Sequence, residues 1–271
     1  MYTGMQPDTI DPSRLIAVLK PLCGGVRLIH VEETESTNRT LMDMAKAGAG
    51  HLTTLVADRQ THGRGRHRRN WASPVGGLYM SVLLKLSRDN PPVTLIPLAV
   101  GLALRKAITD EARQRGGDLE VTLKWPNDLI TENGKLAGIL CETIDTDDEW
   151  LIVAGIGVNI RPLSAETRRL VAADVTSLLE ESDVDWTRSG LIVAFLRHLT
   201  EVIKDWEDTP EQLRREWTAA SNMMDHLVTV KTGKGTIEGK AIELTEQGAL
   251  RLRTEHGPVE INSAEGIEVH E

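Results

Sequence analysis

Cysteine is nearly missing from this chain. Cys23 and Cys141 are the only two among 271 residues, too few for a disulfide scaffold and without any metal-ligand spacing. Both are expected to be reduced thiols with no catalytic part. Aromatic residues make up only 3%, with one Phe and two Tyr. The longest mostly apolar stretch, 95–104, is interrupted by Pro97 and falls well short of a bilayer span. The opening residues MYTGMQPDTIDPS lack a basic segment followed by an apolar one, so no secretory signal is read there, and Met5 is an alternative start. These absences predict a reducing, cytoplasmic setting with no membrane partner. Positive charge is also in deficit: 31 Lys and Arg against 40 Asp and Glu give a net charge of −9, which argues against DNA or RNA as the main partner. No GxxxxGK[ST] phosphate loop, HExxH metal pair or nucleophile elbow occurs in the sequence.

What is present is uneven. At 40% hydrophobic and 26% charged the composition is globular, and the length suits one large domain or one domain with a small appendage. Six of the nine aromatics are Trp, and segment 59–69, RQTHGRGRHRR, holds five Arg and no acid. The pattern predicts a helix over 13–23 and a strand over 26–32, then a helix capped by Ser36 or Thr37 and running to about 47. Strands follow at 53–58 and 76–86, with a helix over 94–114 ended by Gly116-Gly117. Three more strands are read at 119–125, 136–144 and 150–159; the turn Glu132-Asn133-Gly134 suggests that the first two lie antiparallel. Amphipathic helices at 187–207 and 210–220 precede five short alternating runs that read as a small β-barrel. A mixed α+β domain over 1–221 and a β domain over 222–271 are therefore expected, with the order of residues 1–12 left open.

Three constellations can carry chemistry. In the first, Gly63 and Gly65 let backbone amides approach a ligand, while Arg64, Arg66, Arg68 and Arg69 offer planar forks for carboxylate or phosphate oxygens. Gln60 precedes them with an amide that donates and accepts; a solvated basic loop is the plain alternative. In the second, KWPNDLITENGKLAGILCE, Lys124 and Lys135 flank Asn127 and Asp128, and Pro126 breaks the strand so that these two stand at its end. An Asp beside Lys near phosphate can ligate Mg²⁺; a surface ion pair on a hairpin is the alternative. The third, GIGVN over 155–159, is no dinucleotide fingerprint, because Ile160 stands where a third Gly is needed. Its two glycines instead suggest close approach of a ligand or of another backbone.

In combination these segments resemble a known family. STN (36–38), QxxGRGR (60–66) with Trp71, KWPND (124–128), GKLAGIL (134–140) and GIGVN (155–159) occur in the order found in biotin protein ligases, and VTSLL (175–179) with the small terminal domain extends the likeness. The resemblance implies a mixed sheet flanked by helices, of the class II aminoacyl-tRNA synthetase-like type, with an SH3-like C-terminal barrel. It implies ATP and Mg²⁺ as cofactors, biotin as substrate, and a biotin carboxyl carrier protein domain as acceptor. Biotin would be activated to biotinyl-5′-AMP and passed to one lysine of the carrier. Carried over residue by residue, Ser36, Thr37, Asn38 and Gln60 match biotin-contacting positions, and Gly63, Arg64, Gly65 and Arg66 match the ligand-wrapping loop. Arg66 and Lys135 are implied as the catalytic pair, Lys135 polarising the biotin carboxylate and the α-phosphate. Lys124, Asn127 and Asn159 fall on the ATP side with Arg69 and Trp71, and Asp128 on Mg²⁺. Gly138, Gly155 and Gly157 are implied to let biotin's fused ring lie close to the strands.

Two positions depart from the family pattern: Arg68 stands where Gly is common, and His270 where an Arg is common near the nucleotide. Only about 35 residues precede STN, too few for a winged-helix repressor domain, so a monofunctional ligase without DNA binding is expected. The rival readings are a lipoate–protein ligase, separable by the acyl group it transfers, and a noncatalytic RNA-binding module. The latter predicts salt-sensitive RNA binding and leaves Lys135 and Asp128 without a purpose.

Overall fold

The computed structural model describes residues 9–171 and 174–270, so of the segment 1–12 whose order was open, 1–8 lie outside the described residues. Helix α1 (Pro12–Cys23) begins with Asp11, whose carboxylate accepts from the N–H groups of Ser13 and Arg14. Strand β1 (Arg27–Thr34), helix α2 (Thr37–Lys46) and strand β2 (Thr53–Gln60) form a parallel β–α–β unit. Strand β3 (Leu78–Ser87) pairs antiparallel with β2 and leads to α3 (Ile96–Gln114). As expected, the glycine pair ends α3. Gly117 N–H bonds Ala112 C=O and Gly116 N–H bonds Arg113 C=O, while Gly116 takes φ +80°.

Between 119 and 145 the structure corrects the simple two-strand reading. β4 is short (Thr122–Lys124), and a further strand β5 (Asp128–Thr131) runs back along it before β6 (Gly134–Asp145). The Glu132-Asn133-Gly134 turn therefore joins β5 to β6, and β4 does not pair with β6. Pro126 cannot donate to a ladder, so the chain turns at 125–127. Lys124 then sits opposite Asp128 across the new hairpin. With β7 (Glu149–Val158) the sheet has seven strands in the order β1-β2-β3-β7-β6-β5-β4.

Short helices α4 (Ala165–Leu170) and α5 (Leu178–Glu181) follow, neither foreseen, then the expected amphipathic pair α6 (Arg188–Asp208) and α7 (Pro210–Ala219). All five C-terminal runs are strands: β8 (Leu227–Thr232), β9 (Gly235–Leu244), β10 (Leu250–Thr254), β11 (Gly257–Ile261) and β12 (Gly266–His270). They form an antiparallel sheet in the order β11-β10-β9-β8-β12.

The main core joins the large sheet to α1, α3, α6 and α7 and continues into the C-terminal sheet. Trp206 and Trp217 are fully enclosed there, each large side chain contributing roughly 1.5–3 kcal/mol by its burial. Trp125 belongs to this core although it lies in KWPND, and its indole N–H donates to Gly248 C=O at 3.0 Å, tying the two sheets together. A separate small cluster of Leu41 and Ala45 on α2 against Leu83, Leu151 and Val153 holds α2 to the opposite face. Burial raises the Cys23 thiol and pushes Cys141 up to about 12, so both thiols stay protonated at neutral pH. Among the described residues no helix is long and apolar enough to cross a membrane.

Candidate functional site

Beside α2 the sheet is left open, and a cavity of about 740 Å³ lies over the β6–β7 floor, walled by the 60–72 loop on one side and by the C-terminal sheet on another. Every residue singled out for binding or chemistry lines it except Arg68, which is exposed on the loop, and Gly63. That glycine is buried in the loop's own base. A Cβ there would come within 2.4 Å of the Trp71 carbonyl and 2.5 Å of Ser73 Oγ, and its C=O accepts from Trp71 N–H.

At the α2 end, Ser36 occupies the N-cap position, but its hydroxyl makes no capping bond and instead lines the cavity. Thr37 and Asn38 are buried. Gln60 Oε1 accepts from Thr37 N–H at 2.9 Å and from Thr37 Oγ1 at 3.1 Å, while Gln60 Nε2 donates to Ser73 Oγ at 2.8 Å. Ser81 Oγ lies 2.8 Å from Thr37 Oγ1 and 2.7 Å from Asn38 Oδ1. Ser73 and Ser81 thus set the tilt of these side chains, and sequence reading missed both. They sit outside every motif: Ser73 meets Gln60 where the chain returns from the arginine loop, and Ser81 reaches α2 from β3.

The glycine floor is tight. In the β6–β7 register Gly138 stands opposite Gly157. A Cβ on Gly157 would meet the Trp71 indole at 2.5 Å, and one on Gly138 would meet it at 2.8 Å. A Cβ on Gly155 would lie 2.0 Å from Asn38 Oδ1. In the chain as it stands, these glycines admit Trp71 and Asn38. The Trp71 indole N–H is buried and has no hydrogen-bond partner, so a ligand oxygen reaching it would satisfy an orphaned donor. Lys135 Nζ stands 5.2 Å from the ring centroid.

Lys135 is the best fixed of the cations. Its N–H donates to Asp174 C=O and its C=O accepts from Thr176 N–H, an isolated bridge to Val175 that gives the VTSLL segment its purpose. Gly134 makes this crossing possible, since a Cβ there would lie 2.8 Å from the Asp174 carbonyl oxygen. Asn159, also buried, donates from Nδ2 to Thr176 C=O at 3.0 Å and to Lys135 C=O at 3.4 Å. Its amide N–H groups thus brace Lys135. Lys135 Nζ pairs with Asp128 Oδ1 at 2.7 Å. Asn127 Nδ2 donates to Ile139 C=O at 2.7 Å, and its Oδ1 receives Arg66 Nη1 at 3.4 Å.

The arginine loop spans the seam between the two sheets. Arg66 Nη2 donates to Ser263 Oγ at 2.9 Å, His67 Nε2 lies 3.0 Å from Ala264 C=O, and Arg69 Nη2 donates to Glu265 C=O at 2.6 Å. Burial lowers the Arg66 pKa, opposed by Asp128, yet a guanidinium remains charged in any case. His67 and Arg68 take φ +53° and +60°. That left-handed turn explains why a glycine at the Arg68 position would be at ease, and this chain bears the strain with an Arg. His270 does not line the cavity; its ring bonds Thr229 Oγ1 at 2.7 Å on the β8–β12 ladder. The cation that the C-terminal sheet presents to the cavity is Lys231, which no motif had marked.

Lys124, Lys135, Lys231, Arg64, Arg66 and Arg69 therefore face one cavity in which, among the described residues, Asp128 and Glu265 are the only acids. Such a surround suits a ligand or a pair of ligands with several negative charges. Among the described residues no group of three or more His, Cys, Asp or Glu is placed to hold a metal ion. A lone carboxylate such as Asp128 fits a Mg²⁺ carried largely by phosphate and water.

Comparison with known proteins agrees with this geometry. Residues 31–159 match the model of the Biotin/lipoate A/B protein ligase family, and residues 228–265 match the Biotin protein ligase C terminal domain. A biotin--[acetyl-CoA-carboxylase] ligase of Mycobacterium tuberculosis is 33% identical over 235 residues, covering 84% of each chain. The bifunctional ligase/repressor BirA of Bacillus spizizenii is 29% identical over 265 residues, 96% of this chain and 79% of the relative. Among solved structures, the biotin protein ligase from Aquifex aeolicus in complex with biotin and ATP superposes with a TM-score of 0.76. It shares 30% identity, over 90% of this chain and 99% of that one.

Proposed function

The chain belongs to the biotin protein ligase family, and from that premise we propose how it joins biotin to a carrier protein at this cavity. A biotin carboxylate oxygen attacks the α-phosphorus of ATP, and the bond to the β-phosphate oxygen breaks. Biotinyl-5′-AMP and pyrophosphate result. The neutral amine of one carrier lysine then attacks the acyl carbon, the bond to AMP breaks, and the amide forms with loss of a proton. Carboxylate and triphosphate repel each other, so the first step needs fixed positive charge where they meet. The observation that carries the reading is the convergence on one cavity of Lys135, which supplies that charge, Arg66, which closes over the intermediate, and the Ser36–Asn38 helix terminus.

In this reading Ser36, Thr37, Asn38 and Gln60 hold biotin's polar ring at the α2 end, where the helix N-terminus adds partial positive charge. Biotin's ring lies over Gly138, Gly155 and Gly157, with Trp71 displaced along the floor to border the nucleotide. Gly63, Arg64, Gly65 and Arg66 wrap the ligand. Lys135 sits between the reacting carboxylate and the α-phosphate. Lys124, Asn127 and Arg69 face the triphosphate, and Asn159 holds the backbone beneath it. Asp128 takes Mg²⁺, which would neutralise phosphate charge when bound. Residues 1–221 make up the catalytic unit, 222–271 close the nucleotide end, and the setting is cytoplasmic. The acceptor is a lysine of a biotin carboxyl carrier protein domain.

Labelling decides the acyl group. Incubated with Mg²⁺-ATP and a biotin carrier domain, the protein should transfer biotin and leave lipoate unused. Transfer of lipoate at a comparable rate would reassign the site to the lipoate branch of the family.

A further inference from the structure

Glu142, the last residue of the GKLAGILCE run, has no part in the scheme above. It stands on β6 at the margin of the cavity, where the open floor gives way to the small core under α2. Its carboxylate is 22% exposed and holds two residues that are far apart in sequence. Oε2 accepts from Asn38 Nδ2 at 3.0 Å and from Arg64 Nη1 at 3.3 Å, and Oε1 lies 3.0 Å from the same Arg64 nitrogen. The rest of the Asn38 amide is also engaged, Nδ2 with Leu140 C=O at 3.0 Å and Oδ1 with Ser81 Oγ at 2.7 Å. Asn38 thus has a charged acceptor on one side, and that acceptor is the anchor of the arginine loop at its near end. The far end is held by the 263–265 contacts of Arg66, His67 and Arg69.

We propose that Glu142 is a positioning residue that couples the biotin end of the cavity to the arginine loop, orienting Asn38 and latching Arg64 with a single carboxylate. The proposal rests on the biotin reading for its kinetic consequence, but the latch itself does not. Charge-assisted hydrogen bonds are worth about twice neutral ones, so the two halves respond differently to substitution. Glu142→Gln keeps an amide oxygen for Asn38 and removes the charge facing Arg64. Glu142→Ala removes both.

Two measurements separate the halves. Trypsin should cut within 64–69 faster in both variants, by about fivefold or more, because the loop's near end is released. The KM for biotin should rise about tenfold in Glu142→Ala and stay within about twofold of the unmutated protein in Glu142→Gln. Adding Arg64→Ala to Glu142→Ala should speed cleavage after Arg66, Arg68 and Arg69 no further. Unchanged trypsin cleavage in Glu142→Gln, or a KM for biotin that rises equally in both variants, overturns the proposal. If the unmutated protein shows no dependence on biotin, the functional reading fails instead, and the trypsin comparison still tests the latch.

Discussion

Lys135→Ala should slow formation of the acyl-adenylate by about 10²–10³-fold, the loss found when a preorganised donor to developing charge is removed. The ammonium is held on both backbone sides by the 174–176 crossing and pinned at its tip by Asp128. Little reorganisation is needed when an anion arrives. Two unit charges about 4 Å apart near a protein surface repel by about 4 kcal/mol, and a fixed cation between them offsets much of that. The substitution does more than remove one charge, since it also takes away the partner that holds Asp128 in place. Because Asp128 is also the residue proposed to take Mg²⁺, Lys135→Ala combined with Asp128→Asn should not recover the loss and should be slower still. Lys135→Arg should be intermediate, because a guanidinium is a planar fork and cannot replace a compact ammonium at the same point. Pyrophosphate release in a single turnover reads the step directly. A normal rate in Lys135→Ala would remove this lysine from the chemistry.

Arg66→Ala should separate the two half-reactions. Arg66 bridges Asn127 on the β4–β5 turn to Ser263 of the C-terminal sheet, so it closes the cavity across the seam. A mixed anhydride survives only where water is kept out. Without the guanidinium, pyrophosphate release should fall only a few-fold. Biotinyl-5′-AMP found free in solution should rise about tenfold or more, and transfer at low carrier concentration should fall to match. Chromatography of the quenched reaction gives free intermediate and modified carrier in one run. An equal fall in pyrophosphate release and transfer, with no free intermediate, would show instead that Arg66 acts in the first step.

Much of this site was legible because its parts are contiguous. A helix start, an arginine loop, a strand broken by proline and two glycine-bearing strands each carry their own local signature. What escaped depends on register. Gly138 and Gly157 form a slot only because β6 and β7 pair them, and nothing along the chain says that Trp71 enters it. Asp128–Thr131 is a strand of four residues, too short for alternation to mark, yet it places Asp128 opposite Lys124 and beside Lys135. Ser81 and Lys231 reach the site from β3 and β8, strands whose sequences read only as core and as a small barrel. Arg68 shows the converse case. A departure from the family pattern was visible in sequence, and its φ of +60° supplies the reason why glycine is common there.

The central claim is that this cavity activates a carboxylate with ATP, and isotope exchange between pyrophosphate and ATP tests it most directly. With the unmodified chain, Mg²⁺ and ATP, label should enter ATP only when biotin is added, and no carrier should be required. Exchange that ignores biotin, or none with biotin present, would contradict the account.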